Sequence, residues 1–236
     1  MTSLSELRFF TTPAHDCSYL SDKQAITLFV DPLAKINTDL YSALSSVGFR
    51  RSGSHIYRPH CQSCNACIPV RIPVSTFKMK RRFRRILRRN VDIKVKTVEP
   101  ELTEEYFDLY ERYINARHAD GDMFPASRDQ FQSFLVDGRA EACFIEFRTS
   151  GRLLAVAVAD ELNDGLSAIY SFFDPGEEER APGVLAILEL INTAKFRDLD
   201  YLYLGYWIKQ CKKMNYKLDY RPIEIFVNNR WVMAGS

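Results

Sequence analysis

A tight turn between two strand-like runs is the feature that most restricts the fold of this chain. Asn163-Asp164-Gly165 separates an apolar run at residues 153–160 from another at residues 166–173. An Asp-Gly step between two such runs is typical of a β-hairpin, because both residues tolerate the left-handed backbone that the turn needs. A further strand is predicted at residues 142–148, so the second half is expected to contain an antiparallel sheet.

Helical patterns lie on both sides of these strands in the sequence. Residues 104–117 repeat apolar side chains at helical spacing, and a second helix is predicted from Pro182 to about Arg197. The next strand, at residues 201–206, completes a strand–helix–strand unit. We therefore predict an α+β or α/β fold in which a mixed sheet is flanked by helices.

A dense basic segment runs from Lys78 to Arg89, where eight of twelve residues are basic and none is acidic. As a helix it has one apolar stripe, which includes Phe83 and Leu87, and a positive remainder. Such a face favours nucleic-acid phosphates, although a solvated helix face, a nuclear-type address and an anionic membrane surface are alternatives. The residues predicted to bind the nucleic acid are Lys80, Arg81, Arg82, Arg84, Arg85, Arg88 and Arg89.

The same segment marks a predicted domain boundary near Asn90. Residues 1–90 are expected to form a small N-terminal domain that contains a cysteine cluster, and residues 91–236 a larger domain. Within residues 68–74, alternation with proline predicts an edge strand, because proline cannot donate to a ladder.

Three cysteines, Cys61, Cys64 and Cys67, follow a C-x-x-C-x-x-C spacing, and Cys17 lies far upstream. If Cys17 folds back, these four thiols could hold a structural zinc ion, which needs four ligands, or an iron–sulfur cluster. The alternative is that the thiols are reduced and only pack.

Composition excludes several classes of protein. The chain has 236 residues, 32 of them Lys or Arg against 30 Asp or Glu. No run approaches the roughly 20 apolar residues of a membrane helix, and no secretory signal is visible. We therefore expect a cytoplasmic protein with no membrane association. Walker, G-x-G-x-x-G and G-x-S-x-G motifs are absent, so no covalent nucleophile is indicated.

Several longer segments are similar to one known family. They resemble the arginyl-tRNA–protein transferases, in particular their bacterial branch, the aspartate/glutamate leucyltransferases. The resemblance covers nearly the whole chain and rests on residues 16–20, 48–59, 61–71, 117–123, 170–174, 203–208 and 213–217.

The resemblance implies a GNAT-like acyltransferase fold in the second domain. It also implies the reaction, in which leucine passes from leucyl-tRNA to a protein whose first residue is Asp or Glu and marks it for N-end rule degradation. The partners are then leucyl-tRNA and the acceptor protein, and no cofactor is required. Arginine transfer, acetyl-CoA-dependent acetylation and non-catalytic RNA binding are the alternatives, and the oligomeric state stays open.

The reaction needs aromatic faces for the charged 3′ end of the tRNA and positive charge for the acidic acceptor. A buried aromatic strand is the other interpretation of the tyrosines at residues 201–206. The substrate-binding candidates are Arg117, Tyr170, Phe172, Tyr203, Tyr206, Trp207, Lys213 and Lys217. If a general base is used, the catalytic candidates are His118, Asp120 and Asp122.

Overall fold

The computed structural model describes residues 4–121 and 123–235, so the catalytic candidate Asp122 lies outside the described residues. The strands are β1 (Phe9–Thr11), β2 (His15–Asp16), β3 (Gln24–Ala25), β4 (Thr27–Val30), β5 (Arg50–Ser52), β6 (His55–Pro59), β7 (Ile68–Pro73), β8 (Ile93–Val98), β9 (Ala142–Thr149), β10 (Arg152–Leu162), β11 (Gly165–Phe173), β12 (Tyr201–Trp207), β13 (Glu224–Val227) and β14 (Arg230–Met233). The helices are α1 (Thr38–Ser46), α2 (Arg81–Arg89), α3 (Glu104–Arg117), α4 (Arg128–Phe131), α5 (Pro182–Phe196) and α6 (Lys212–Asn215).

The largest element is a mixed sheet with the strand order β14-β13-β7-β12-β11-β10-β9-β8. The predicted hairpin is confirmed, since β10 and β11 pair antiparallel with Leu162 opposite Gly165. Strands β11 and β12 pair in parallel, and α5 connects them. The predicted mixed sheet with flanking helices is therefore confirmed.

Helices cover both faces of this sheet. Helix α5 packs Leu188 and Ile191 into one apolar cluster, which also receives Phe83 of α2. On the other face, α3 and α4 bury aromatic side chains such as Tyr110 and Phe131 against Phe172. Each helix face is apolar where the sheet lies and polar outside, which is what fixes the layers.

A second, four-stranded sheet with the order β1-β4-β6-β5 is built from the N-terminal residues. It packs with α1 through a smaller cluster that includes Tyr41, Phe49 and Ile56, and this cluster also takes in Tyr203 of the large sheet. The joint between the two sheets is therefore apolar.

A buried ion pair reinforces that joint. Arg51 of β5 donates from Nε and Nη2 to Asp160 of β10, at 2.5 and 2.7 Å, and both side chains are fully buried. The hydroxyl of Tyr41 donates to the same carboxylate at 2.5 Å. Because a buried charge needs such partners, the pair ties the N-terminal sheet to the large sheet.

The position of strand β7 in the sheet differs from the prediction. It was expected at an edge, but it lies inside the large sheet between β13 and β12. Pro69 and Pro73 are tolerated there because β13 pairs only with Val70 and Arg71, so no ladder hydrogen bond on that side requires the N–H that proline lacks. The large sheet thus contains a strand from before the boundary predicted at residue 90.

Candidate active site between two diverging strands

The parallel pairing of β11 with β12 is short. Only Gly165, Leu166 and Ser167 lie in register with Tyr201 and the two residues after it. Both strands then continue, β11 to Phe173 and β12 to Trp207. We call the space between residues 168–173 and 204–207 the strand gap. The carboxyl ends of neighbouring strands, where the sheet opens, are a common place for ligands in α/β folds.

Arg50 from β5 enters the strand gap where the strands separate. Its Nη1 donates to Ser167 Oγ at 2.6 Å, and its Nη2 donates to the carbonyl of Ala168. On the other side the guanidinium lies against Gly205, where an added Cβ would sit 3.2 Å from Arg50 Nε. Gly205 also has a φ of +76°, so this position suits only glycine.

Lys217 approaches the same gap from the segment after α6. Its Nζ donates to the carbonyl of Tyr206 at 2.5 Å and contacts Met214 Sδ at 3.4 Å. Burial, together with the nearby charge of Arg50, lowers the pKa of Lys217 to about 7. The gap is therefore lined by one fixed cation and one that titrates near neutrality.

Two tyrosines, Tyr206 and Tyr57, pack beside the strand gap. The hydroxyl of Tyr206 donates to the carbonyl of Gly48 at 2.9 Å, and the rings of Tyr206 and Tyr57 are 6.4 Å apart. Burial raises the pKa of Tyr206, so this hydroxyl stays protonated. Tyr206 is only 5% exposed, so its ring is part of the packed interior beside the gap.

Comparison with known proteins shows to which family this chain belongs. The sequence model for the N terminus of the arginine-tRNA-protein transferases matches residues 15–85, and the model for their C terminus matches residues 105–227. The chain belongs to this transferase family. The gap takes Arg50 from the first of these segments and Lys217 from the second.

Curated relatives place the chain within the family. A protein of Pseudomonas fluorescens (strain SBW25) is 58% identical over 98% of this chain and 99% of its own length. A protein of Pseudomonas aeruginosa (strain LESB58) gives the same identity and coverage. Both relatives carry the name aspartate/glutamate leucyltransferase.

Likeness to solved structures is weaker. L-PGS from Bacillus licheniformis matches with a TM-score of 0.46 and 11% identity, over 87% of this chain and 70% of that one. Family membership rests on sequence.

The aromatic residues predicted to bind substrate are mostly buried in this transferase. Phe172 is fully buried among the rings packed on α3, and Tyr203 is 3% exposed, with its hydroxyl donating to Asp164 at 2.8 Å. The hydroxyl of Tyr170 is buried and has no hydrogen-bond partner among the described residues. Trp207 is only partly buried. Of these rings, Trp207 is therefore more exposed than Phe172 and Tyr203, although it packs against the apolar cluster below α5.

The predicted cations lie in different surroundings. Lys213 is exposed and binds both carboxylate oxygens of Asp120, at 2.9 and 3.0 Å. Arg117 pairs with Glu178 at 2.6 Å. Of the predicted cations, Lys217 is the one that the structure brings into the strand gap.

The two described candidates for a general base differ in availability. Hydrogen bonding to Lys213 lowers the pKa of Asp120, which makes this exposed carboxylate a weak base. His118 follows the last residue of α3, with its Nε2 3.4 Å from the hydroxyl of Tyr113. Burial, with a smaller effect from Lys213, lowers the pKa of His118. The lowered pKa favours the neutral form of His118, which can accept a proton.

The basic segment forms a helix, α2, over Arg81–Arg89. Phe83 is fully buried and stacks on Tyr220 with ring centroids 5.2 Å apart. Arg82 pairs with Asp219 at 2.9 Å, Lys80 donates to the carbonyl of Asp219 at 2.7 Å, and Arg89 donates to the carbonyl of Glu179. The exposed arginines of α2 with neither an ion pair nor a hydrogen bond from the side chain among the described residues are Arg81, Arg84, Arg85 and Arg88.

The four cysteines predicted as metal ligands are all reduced and partly buried. Burial and, to a smaller extent, the nearby thiols of Cys17, Cys61 and Cys64 together raise the pKa of Cys67 to about 12, so the four lie in one neighbourhood. Within residues 4–121 and 123–235, however, no three His, Cys, Asp or Glu side chains are arranged to hold a metal ion. The thiols as placed do not fit a zinc ion or an iron–sulfur cluster, and the chemistry below uses neither.

One other surface carries less chemistry. In a depression lined by Lys96, Cys143 and Glu161, the carboxylate of Glu161 is already paired with Arg197 at 2.9 Å. In the part of the chain that the structure describes, no helix is long and apolar enough to cross a membrane.

Sequence reasoning missed Arg50. It stands beside Arg51 and Gly48 with no motif of its own, and its contacts lie more than 110 positions away. The one available signal was Gly205, because a glycine inside a strand often marks the close approach of another group.

Proposed function

We propose that this chain transfers leucine from leucyl-tRNA to the α-amine of proteins whose first residue is Asp or Glu. The product carries a new N-terminal leucine and is marked for degradation through the N-end rule. The observation that carries the proposal is 58% identity, over 98% of the chain, to curated aspartate/glutamate leucyltransferases. The cationic strand gap supports it, because the acceptor is acidic.

The reaction is the aminolysis of an ester. The α-amine nitrogen forms a bond to the leucyl carbonyl carbon, the bond from that carbon to the ribose oxygen breaks, and the ribose oxygen takes the proton that the amine loses. The pKa of an α-amine is about 7.7–8.0, so part of the acceptor is already nucleophilic near neutral pH. Catalysis then depends on positioning the two substrates and stabilising the tetrahedral oxyanion.

We infer that no acyl-enzyme is formed and that no cofactor is needed. Cys67, the clustered thiol that interacts electrostatically with Lys217, has a pKa of about 12, mainly because of burial, so it is not a thiolate at neutral pH. The ester is already activated, and the substrates supply the nucleophile and the leaving group. His118, whose lowered pKa favours the neutral imidazole, is the candidate among the described residues that we propose to assist proton transfer.

Helix α2 is proposed to bind the tRNA backbone. Its apolar stripe is held by Phe83, and four exposed arginines, namely Arg81, Arg84, Arg85 and Arg88, are free of ion pairs among the described residues. Arginine is well suited to phosphate because its planar fork donates two parallel hydrogen bonds.

The second half of the chain is inferred to have the GNAT-like acyltransferase fold. The support is the order of its elements: the antiparallel strands β9, β10 and β11 are followed by α5 and the parallel strand β12, which separates from β11 after three paired residues.

The donor is tested by offering three acyl donors to one acceptor. A peptide that begins with Asp is incubated with the protein and leucyl-tRNA, arginyl-tRNA or acetyl-CoA, and the products are identified by mass spectrometry. Addition of one leucine is expected. Arginine addition would keep the chemistry and change the donor, whereas acetylation without either amino acid would refute the proposal.

A further inference from the structure

Two buried cations in the strand gap lack the counter-ion that other buried charges in this protein possess. Arg51 is paired with Asp160, Arg71 with Glu224 at 2.7 Å, and Glu146 with Arg148 at 2.6 Å. Arg50 is only 9% exposed and Lys217 only 5%, yet neither has a carboxylate within ion-pair distance among the described residues. An unpaired buried charge is costly, so such a pair indicates a site for an anion.

The hydrogen bonds of both cations go to the walls of the gap. Arg50 uses two N–H donors on Ser167 and Ala168 of β11, while Lys217 uses its donors on the carbonyl of Tyr206 and on Met214. A guanidinium has five donors and an ammonium three, so each group keeps donors to spare. The contacts fix the position of both cations without neutralising them.

We propose that Arg50 and Lys217 bind the side-chain carboxylate of the acceptor's N-terminal Asp or Glu. This assignment rests on the leucyl transfer proposed above and names the residues that select the acceptor. The carboxylate supplies the counter-ion that the gap lacks. Asn or Gln in its place leaves two buried cations uncompensated, and a site that depends on such pairing rejects a substrate that lacks the partner.

A phosphate of the tRNA is the less suitable anion for this place. Phosphodiesters lie within a polynucleotide chain, whereas a carboxylate stands at the tip of a short side chain and can enter a narrow gap between strands. The free arginines of α2 already offer phosphates an exposed surface. The burial of Arg50 and Lys217 therefore favours the acceptor side chain.

The test measures preference between two acceptors in one reaction. Leucyl-tRNA is supplied with an equimolar mixture of two peptides that differ only in beginning with Asp or Asn, and the ratio of leucylated products gives the ratio of kcat/KM values. Because both products come from the same enzyme molecules, this ratio does not depend on how much of a variant is folded. The variants are Lys217→Met, Lys217→Arg, Arg50→Gln and Arg50→Lys.

The Asp-over-Asn ratio is expected to fall about tenfold or more in Lys217→Met and in Arg50→Gln, since a buried charge pair loses one partner. The charge-preserving variants should retain more of the preference than the neutral ones. Lys212→Met is the matched control, because Lys212 is exposed on α6 close to Lys217 in sequence, and its ratio should equal that of the wild type.

Two results would overturn the proposal. One is an unchanged ratio in both neutral variants. The other is an equal loss on both peptides together with weaker leucyl-tRNA binding, which would assign the cations to a phosphate. If the wild type leucylates neither peptide, leucyl transfer itself is refuted, and the assignment falls with it. If it leucylates both equally, leucyl transfer stands, but the assignment of Arg50 and Lys217 to the acceptor carboxylate is refuted.

Discussion

At the scale of single residues, Lys217 connects the stability of the fold to pH. Burial lowers its pKa from 10.5 to about 7, so between these values the unfolded chain binds a proton that the folded chain does not. The free energy of unfolding should therefore rise with pH from about 7 to about 10.5 through this group, and below pH 7 the full cost of the buried charge is present.

The measurement compares the wild type with Lys217→Met by denaturant unfolding across that pH range. Other titrating groups are common to both proteins, so the difference between the two unfolding free energies isolates Lys217. The wild type should gain stability relative to the variant as pH increases. A difference that stays constant with pH would show that Lys217 is not a buried titrating group.

The same residue predicts how acceptor choice depends on pH. Only protonated Lys217 attracts a carboxylate, so the Asp-over-Asn preference should decline as pH rises from 6 to 8 through its pKa of about 7. Ionisation of the α-amine affects both peptides and largely cancels in the ratio. Competition reactions at several pH values check this, and a preference that increases with pH would contradict it.

At the scale of structural elements, the contact between β5 and β10 depends on one buried ion pair. Asp160→Asn removes the partner of buried Arg51 and should cost about 3–5 kcal/mol of unfolding free energy. Glu161→Gln is the matched control, because Glu161 is the next residue and forms an ion pair with Arg197, but its side chain is 55% exposed. That change should cost about 0–1 kcal/mol. Similar losses in both variants, measured by chemical denaturation, would show that burial does not set the value of the pair.

Helix α2 gives a prediction about salt. Each arginine that contacts a phosphate releases counterions, so the dependence of tRNA affinity on salt should weaken by a slope of about 0.9 for each contact removed. Arg84→Gln with Arg85→Gln should reduce both affinity and slope in binding titrations at several salt concentrations. Lys35→Gln, an exposed basic residue outside α2, serves as control. An unchanged slope in the double variant would place the tRNA elsewhere.

Local elements could be predicted from sequence where the signal is local. The Asn163-Asp164-Gly165 turn and the helix at Glu104–Arg117 both depend on neighbouring residues. The place of β7 depends instead on partners more than 120 positions away, and no local pattern encodes that. Strand β14 was missed although its pairing is local, since it is short and pairs with β13 across the two-residue turn Asn228-Asn229.

The residues of the candidate site could likewise be predicted only where the sequence signal is local. Lys217 was predicted because it lies in a basic stretch, and the basic helix was predicted because its charges are adjacent in sequence. Arg50 could not be placed, because its role depends on β5 lying across the point where β11 and β12 separate. The aromatic residues were predicted but are mostly buried. Sequence spacing does not distinguish the buried ring of Phe172 from an exposed ring that could stack on a substrate.

At the scale of the whole molecule, the gap belongs to neither half of the chain alone. Arg50 lies in the segment that matches the N-terminal family model, and Lys217 in the segment that matches the C-terminal one. Strand β7 runs in the large sheet beside β12, and Arg51 bonds to Asp160 across the joint. The proposed acceptor site therefore requires that the halves pack together, which explains why the joint is held by both apolar contacts and a buried ion pair.

The central claim is that this assembly transfers leucine to acidic N-termini. The most direct measurement incubates the purified, folded protein with leucyl-tRNA and three peptides that differ only in beginning with Asp, Glu or Ala, followed by mass spectrometry of the products. We predict the addition of one leucine to the Asp and Glu peptides and none to the Ala peptide. Absence of leucine from all three, or equal addition to the Ala peptide, would contradict the account.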